Sequence, residues 1–233
     1  MKIAIVGLGY VGLPLSLQFA RSQVNVLGLD IDAAKVESLN QGKSYIKHIT
    51  DESIAAEIKA GRFLASTDFS LVREVEAVLI CVPTPLNKNR EPDISYILKT
   101  GSAIALHLQR GTLVVLESTT YPGTTDEDLR DVLEAGSQLK AGVDFHLAFS
   151  PEREDPGNPQ SVVATIPKVI GGYTPACLEK TRALYSKAIT TLVAVSSCRA
   201  AEATKLVENT FRSVNIALVN ELKVVYAAMG IDV

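Results

Sequence analysis

Three glycines set the frame for this chain. The run KIAIVG leads into LGYVGLPLSLQFA, so Gly7, Gly9 and Gly12 stand directly after a short apolar run and at the mouth of a helical pattern. The first glycine permits a tight turn, the second lets backbone approach a pyrophosphate, and the third lets the helix pack closely on a sheet. The helix start adds free amides and a partial positive charge. Such spacing alone is weak, but here its context is complete: Asp30 closes the next strand-like run, NVLGLD, eighteen residues past Gly12. A carboxylate at that point accepts hydrogen bonds from a ribose diol and repels a 2′-phosphate, which selects NAD over NADP. Asp32 has a local use as N-cap of the following helical pattern.

Further along, short β-branched runs alternate with helical patterns. Strands are expected at 2–7, 25–30, 77–82, 112–118, 144–150, 168–172 and 191–196, and helices at 11–22, 32–40, 52–60, 94–109, 125–135 and 175–187. The runs are apolar throughout rather than alternating, as parallel strands covered on both faces must be. The expected fold class is α/β: a Rossmann-like doubly wound, mostly parallel sheet, over residues 1–197. From Arg199 some thirty residues follow without proline or internal glycine, up to Gly230 as C-cap. A helix of that length spans about 45 Å, more than one such domain requires. Residues 198–233 are therefore expected to form a long spine helix, the start of a further domain cut off at Val233. Its apolar positions Leu206, Phe211, Val214, Leu218, Leu222 and Val225 recur every three to five residues, which points to a homodimer formed through it.

Composition narrows the classes. The net charge of −3 leaves no footprint for nucleic acid, and no basic tract suggests a membrane surface. The longest apolar runs are too short to span a bilayer. The glycine spacing and the helix that follows at once argue against reading the N-terminus as an export signal, so a cytoplasmic location is expected. Three scattered cysteines, Cys81, Cys177 and Cys198, indicate neither a disulfide framework nor a zinc site, and three scattered histidines add no metal cluster.

Strand ends in such a sheet deliver residues to the crevice above their carboxyl edge. CVPTP holds Thr84 between prolines, ESTTYPG offers Ser118, Thr119 and Thr120, SPE offers Glu152, and the long helix carries Lys205 and Asn209 one turn apart on one face. Taken singly, each also reads as ordinary. Thr119 serves as a turn residue ahead of Pro122, Glu152 as a solvated loop charge, and Lys205 with Asn209 as a polar helix face. The residues expected to hold the cofactor are Gly7, Gly9, Tyr10, Val11, Gly12, Asp30, Lys35, Pro83, Thr84, Ser118 and Thr119.

In their order, GLGYVGLPL, CVPTP, ESTTYPGTT, SPEREDPGN and AEATKLVENTFRSVNIALVNEL resemble the nucleotide-sugar 6-dehydrogenases, which include UDP-glucose, GDP-mannose and UDP-N-acetylhexosamine enzymes. The resemblance runs the length of the chain. EREDPGN is most similar to the UDP-N-acetylglucosamine branch; UDP-glucose enzymes more often carry a second glutamate where Pro156 stands, so that residue's substrate role does not transfer. The resemblance implies a four-electron oxidation of a UDP-sugar's C6 alcohol to a carboxylate with two NAD+, serving polysaccharide precursors. Lys205 and Asn209, with a water held by Thr119, would serve the first hydride loss. A cysteine thiolate would trap the aldehyde, and Glu152 would be the base for the water that hydrolyses the thioester. Glu152, Arg153, Lys205 and Asn209 would face the substrate, although Arg153 reads equally well as a salt-bridge partner. The family's cysteine lies in a glycine-rich segment beyond the long helix, and none of the three cysteines here replaces it. The chain is thus expected to bind NAD without sustained production of a uronic acid. Two rival readings are a β-hydroxyacid dehydrogenase, which would carry a glycine-rich substrate motif near residue 120 and no SPER loop, and a stand-alone NAD-binding dimer module.

Overall fold

A computed structural model describes residues 1–152 and 166–232. Its elements are β1 Lys2–Val6, α1 Gly12–Arg21, β2 Asn25–Leu29, α2 Ala33–Asn40, α3 Asp51–Lys59, β3 Phe63–Ser66, β4 Ala77–Ile80, α4 Ser95–Ala105, β5 Leu113–Leu116, α5 Arg130–Ser137, β6 His146–Phe149, β7 Lys168–Gly172, α6 Pro175–Tyr185, β8 Leu192–Ala194 and α7 Cys198–Ala228. They build one eight-stranded sheet in the order β3-β2-β1-β4-β5-β6-β7-β8. Successive residues of β1 show why both faces must be apolar: Ile3 and Ile5 enter one core with Phe19 of α1 and Tyr185 of α6. Ala4 and Val6 enter the other, with Ile97 of α4, Leu133 of α5 and Ala201 of α7.

The doubly wound expectation holds, with three adjustments. First, the strand β3 and a 3-10 turn at Phe69–Glu74 lie where the sequence suggested no element. β3 is a four-residue edge strand, FLAS, buried at Phe63 and Ala65 with Leu64 56% exposed, too short an apolar run to stand out from its surroundings. Second, the sheet is not parallel throughout. β7 runs antiparallel to β6, pairing Ala148 with Gly172 and Phe149 with Gly171. β7 is buried along its whole length, as a parallel central strand would be, so composition could not reveal its direction. Third, the predicted helix at 125–135 begins as a π-helical turn, Thr124–Leu129, that runs into α5.

The predicted strands were also too long at their carboxyl ends. Gly7, Asp30, Cys81, Glu117, Ser118 and Ser150 all lie just past the last ladder residue. The residues trimmed from the ladders are the ones that reach the crevice above it.

Helix α7 is buried at Cys198, Ala201 and Glu202 and then leaves the body of the protein. Its start packs tightly, since a Cβ on Gly171 would meet the Ser197 carbonyl oxygen at 2.2 Å. Beyond that, Phe211, Val214 and Leu218 are exposed, as are Leu222 and Val225. No helix among the described residues is long and apolar enough to cross a membrane.

Candidate active site

The turn after β1 is shaped by contact as much as by flexibility. Gly7 has φ +90°, and a Cβ there would meet the Cys81 carbonyl oxygen at 2.7 Å. A Cβ on Gly12 would lie 1.9 Å from the Gly7 carbonyl oxygen. Gly9 differs, because a Cβ on it would meet nothing within 4 Å and would project into open groove. Protein packing therefore does not require glycine at 9, but a ligand's backbone-hugging phosphates would. Helix α1 starts at this turn with no side-chain cap on Val11. The Leu13 and Leu15 amides donate to the Gly9 and Val11 carbonyls and Pro14 has none, so what the helix start offers an anion is chiefly its partial positive charge. These features fit a dinucleotide, with the pyrophosphate against the Gly9 backbone and the α1 N-terminus.

Asp30 is buried and already braces the turn: its Oδ2 accepts from the Leu8 amide at 2.9 Å and its Oδ1 from the Asp32 amide at 3.0 Å. Asp32 caps α2 as expected, accepting from the Ala34 and Lys35 amides. Tyr45, which sequence reasoning missed, donates its hydroxyl to the Leu8 carbonyl oxygen at 2.5 Å. Its phenol is raised above the ordinary range by burial first, then by Asp30 and Asp32. The Lys35 ammonium lies 5.8 Å from the centre of the Tyr45 ring, and Tyr10 stacks on His48. No motif flags Tyr45 or His48; they come from the irregular stretch after α2, whose approach to the turn is a tertiary event.

A groove of about 630 Å³ runs along the carboxyl edge from Asp30 to Glu152. Ten of the eleven predicted cofactor residues line it. Gly12 is the exception and is buried beneath. At the far end, the Thr84 hydroxyl donates to the Thr119 carbonyl oxygen at 2.7 Å, and the Ser118 hydroxyl to that of Val82 at 2.7 Å. The two loops are thus locked together, leaving Thr119 exposed at the rim. Cys81 lies just past β4 rather than within it, and its thiol is held well above its ordinary value, by burial first and then by Glu117. Cys177 is fully buried on α6, and Cys198 is buried as the first residue of α7.

Lys205 reaches this end from α7, donating its ammonium to the Glu152 carbonyl oxygen at 2.5 Å. Asn209 lies with Lys205 in an adjoining cavity of about 480 Å³, also lined by Ile166, Phe211 and Arg212, and not in the main groove. Arg153 and Pro156 fall outside the described residues. The sequence reading missed Glu202, one turn before Lys205, which accepts from the Gly123 amide at 2.8 Å and from the Thr125 amide and hydroxyl at 2.9 and 2.7 Å. Burial raises this carboxyl, with the Thr125 and Gly123 donors opposing. It ties α7 to the turn that follows Thr119. Among the described residues no group of histidine, cysteine and acidic side chains could hold a metal ion.

Residues 1–189 match the NAD binding domain of the UDP-glucose/GDP-mannose dehydrogenase family, and residues 199–233 match its central domain. The chain belongs to that family. It is 41% identical over its whole length to a UDP-N-acetyl-D-glucosamine 6-dehydrogenase of Pseudomonas aeruginosa, of which it covers 54%. It is 37% identical over 99% of its length to a UDP-N-acetyl-D-mannosamine dehydrogenase of Escherichia coli, covering 56% of that protein. The solved structure of a UDP-D-ManNAc dehydrogenase from Pyrococcus horikoshii superposes with a TM-score of 0.93 at 34% identity, over 99% of this chain and 55% of the other. The chain thus spans about half the length of the relatives it matches.

Proposed function

We propose that this family member contributes the cofactor unit, residues 1–197, and the first helix of the central unit, from residue 198, to an NAD-dependent UDP-N-acetylhexosamine 6-dehydrogenase acting on UDP-N-acetylglucosamine. The observation that carries this reading is the meeting of Lys205 and Glu152, through the 2.5 Å bond, at the end of the groove farthest from Asp30. Oxidation of a C6 alcohol to a carboxylate takes four electrons and one water. Bound NAD+ supplies the hydride acceptor at each of the two oxidations. Lys205 and Asn209 stand one helical turn apart, where they could hold the reacting C6 oxygen and stabilise charge that develops on it. Thr119 is exposed at the rim, within reach of a bound water, and the Glu152 carboxylate is the general base for the hydrolytic step. The choice of sugar rests on the SPEREDPGN stretch and on the relative that is 41% identical. The exposed apolar positions of α7 favour a homodimer in which each copy covers the other's helix.

The test is to supply the intact protein that carries this chain with NAD+ and a panel of sugar nucleotides. UDP-N-acetylglucosamine should give two NADH per sugar and a C6 carboxylate by mass spectrometry, with kcat/KM about tenfold or more above that for UDP-N-acetylmannosamine. A preference for the mannosamine sugar would overturn the assigned epimer alone. No NADH from any UDP-hexosamine or UDP-glucose would overturn the reaction.

A further inference from the structure

Beneath the far end of the groove lies a buried ionic cluster that none of the roles above uses. Glu117, just past β5, lines the groove and is almost fully buried. Its Oε2 accepts from the Lys168 ammonium at 2.7 Å, and its Oε1 accepts from the Tyr185 hydroxyl. Lys168 is itself 6% exposed, a rare burial for a lysine.

The reversal of β7 is what brings this amine to the site. In a parallel strand Lys168, the first residue, would sit at the opposite edge of the sheet. Running antiparallel, β7 pairs Gly172 with Ala148 and Gly171 with Phe149, and the Ser150 hydroxyl donates to the Val169 carbonyl oxygen at 2.8 Å. Lys168 therefore stands level with the chain just past Ser150, which leads to Glu152. Burial alone would push its ammonium toward neutrality, but Glu117 and then Glu152 outweigh burial and raise it above the ordinary lysine value. Burial raises Glu117 in turn, with Lys168 opposing. Other titratable or charged groups around the cluster are Cys81 after β4, Tyr185 of α6, and Lys205 of α7, whose ammonium holds the Glu152 backbone.

We propose that Lys168 is a positioning residue for Glu152: one buried ammonium is the shared counter-ion of Glu117 and Glu152 and fixes the Glu152 carboxylate at the end of the groove. Its catalytic consequence rests on the general-base role proposed for Glu152, but the ionic arrangement does not. The test therefore reads Glu152 directly, as the pH titration of its 13C-labelled side-chain carboxyl by NMR in the full chain. Removing the amine in Lys168→Gln leaves two carboxylates facing each other, and the Glu152 midpoint should rise by about one pH unit. Removing the competing acid in Glu117→Gln keeps one acceptor oxygen for Lys168, with the amide NH2 able to donate to the Tyr185 hydroxyl oxygen. It gives Glu152 sole use of the ammonium as counter-ion, so the midpoint should fall. Lys168→Arg should leave it near the wild-type value. A purely structural role predicts lower melting temperatures in both neutral variants without opposed titration shifts, and that result would overturn the proposal. Should Lys168→Gln not fold, Glu117→Gln alone decides, since an unmoved or raised midpoint there overturns it. None of these readouts needs turnover, so inactivity of the protein on UDP-sugars would count against the reaction and leave this result standing.

Discussion

At the Asp30 end of the groove, every backbone position is held from several sides. Gly7 is enclosed by the Cys81 carbonyl, Gly12 lies against Gly7, Asp30 takes the Leu8 amide, and Tyr45 takes the Leu8 carbonyl. At the Lys205 end, the amine is carried by a helix buried only near its start and anchored there by Glu202 and by Arg199, which bonds to Asp126 and Glu127. The first region is held by many contacts, most of them within one β-α-β stretch of chain. The second is placed by a few contacts between residues more than seventy positions apart. The cofactor end should therefore fail all at once when its packing is violated, and the helix should fail by detaching from an otherwise intact sheet.

Substitutions at four positions test that contrast. Gly12→Val puts a side chain where even a Cβ lies 1.9 Å from backbone, so NAD binding should disappear from calorimetry and folding should be severely weakened. If the variant binds normally, the turn is not over-determined. Glu202→Ala leaves two amides and a hydroxyl without their acceptor and should cost about 3 kcal/mol in urea unfolding. NAD affinity should change little, because neither Glu202 nor its partners Gly123 and Thr125 line the groove. The carboxyl of Glu202 is raised in the folded state, so its contribution to stability is fullest below the ordinary carboxylate range and declines as pH rises through the folded value. That slope should be absent from Glu202→Gln. Asp30→Ala should weaken NAD binding about tenfold or more, roughly 1.4 kcal/mol. Asp30→Asn, which keeps an acceptor for Leu8, separates the loss of the ribose contact from loosening of the turn. Leu218→Glu should alter stability by less than about 0.5 kcal/mol in the isolated chain, since Leu218 is 55% exposed. In sedimentation it should convert a dimer to a monomer, and an unchanged profile would remove α7 from the proposed interface.

The same contrast explains what could be read from the sequence. Gly7, Gly9, Gly12, Asp30 and the Asp32 cap were legible because their work is done mostly within one β-α-β stretch of chain, where spacing is itself geometry. The order of layers was legible because doubly covered strands must be apolar on both faces. Tyr45, Glu117, Lys168 and Glu202 were not, for each acquires its meaning from a partner distant in sequence, and a lone Glu or Lys looks the same beside water or beside an ion. One signal was available and unused. Parallel strands need a crossover, usually helical, and the proline-rich PEREDPGNPQ between β6 and β7 carries no helical pattern. That absence already hinted that β7 turns back.

The turn-back has an evolutionary corollary. Because β7 runs antiparallel to β6, the end of β6 and the start of β7, which one connection joins, lie at the same rim of the sheet. Lengthening such a connection is thermodynamically gentle, about 0.6 kcal/mol per doubling, and neither strand need shift to accommodate it. Changes of length between the two strands can thus accumulate while the turn around Gly7, Gly9 and Asp30 is inherited unaltered.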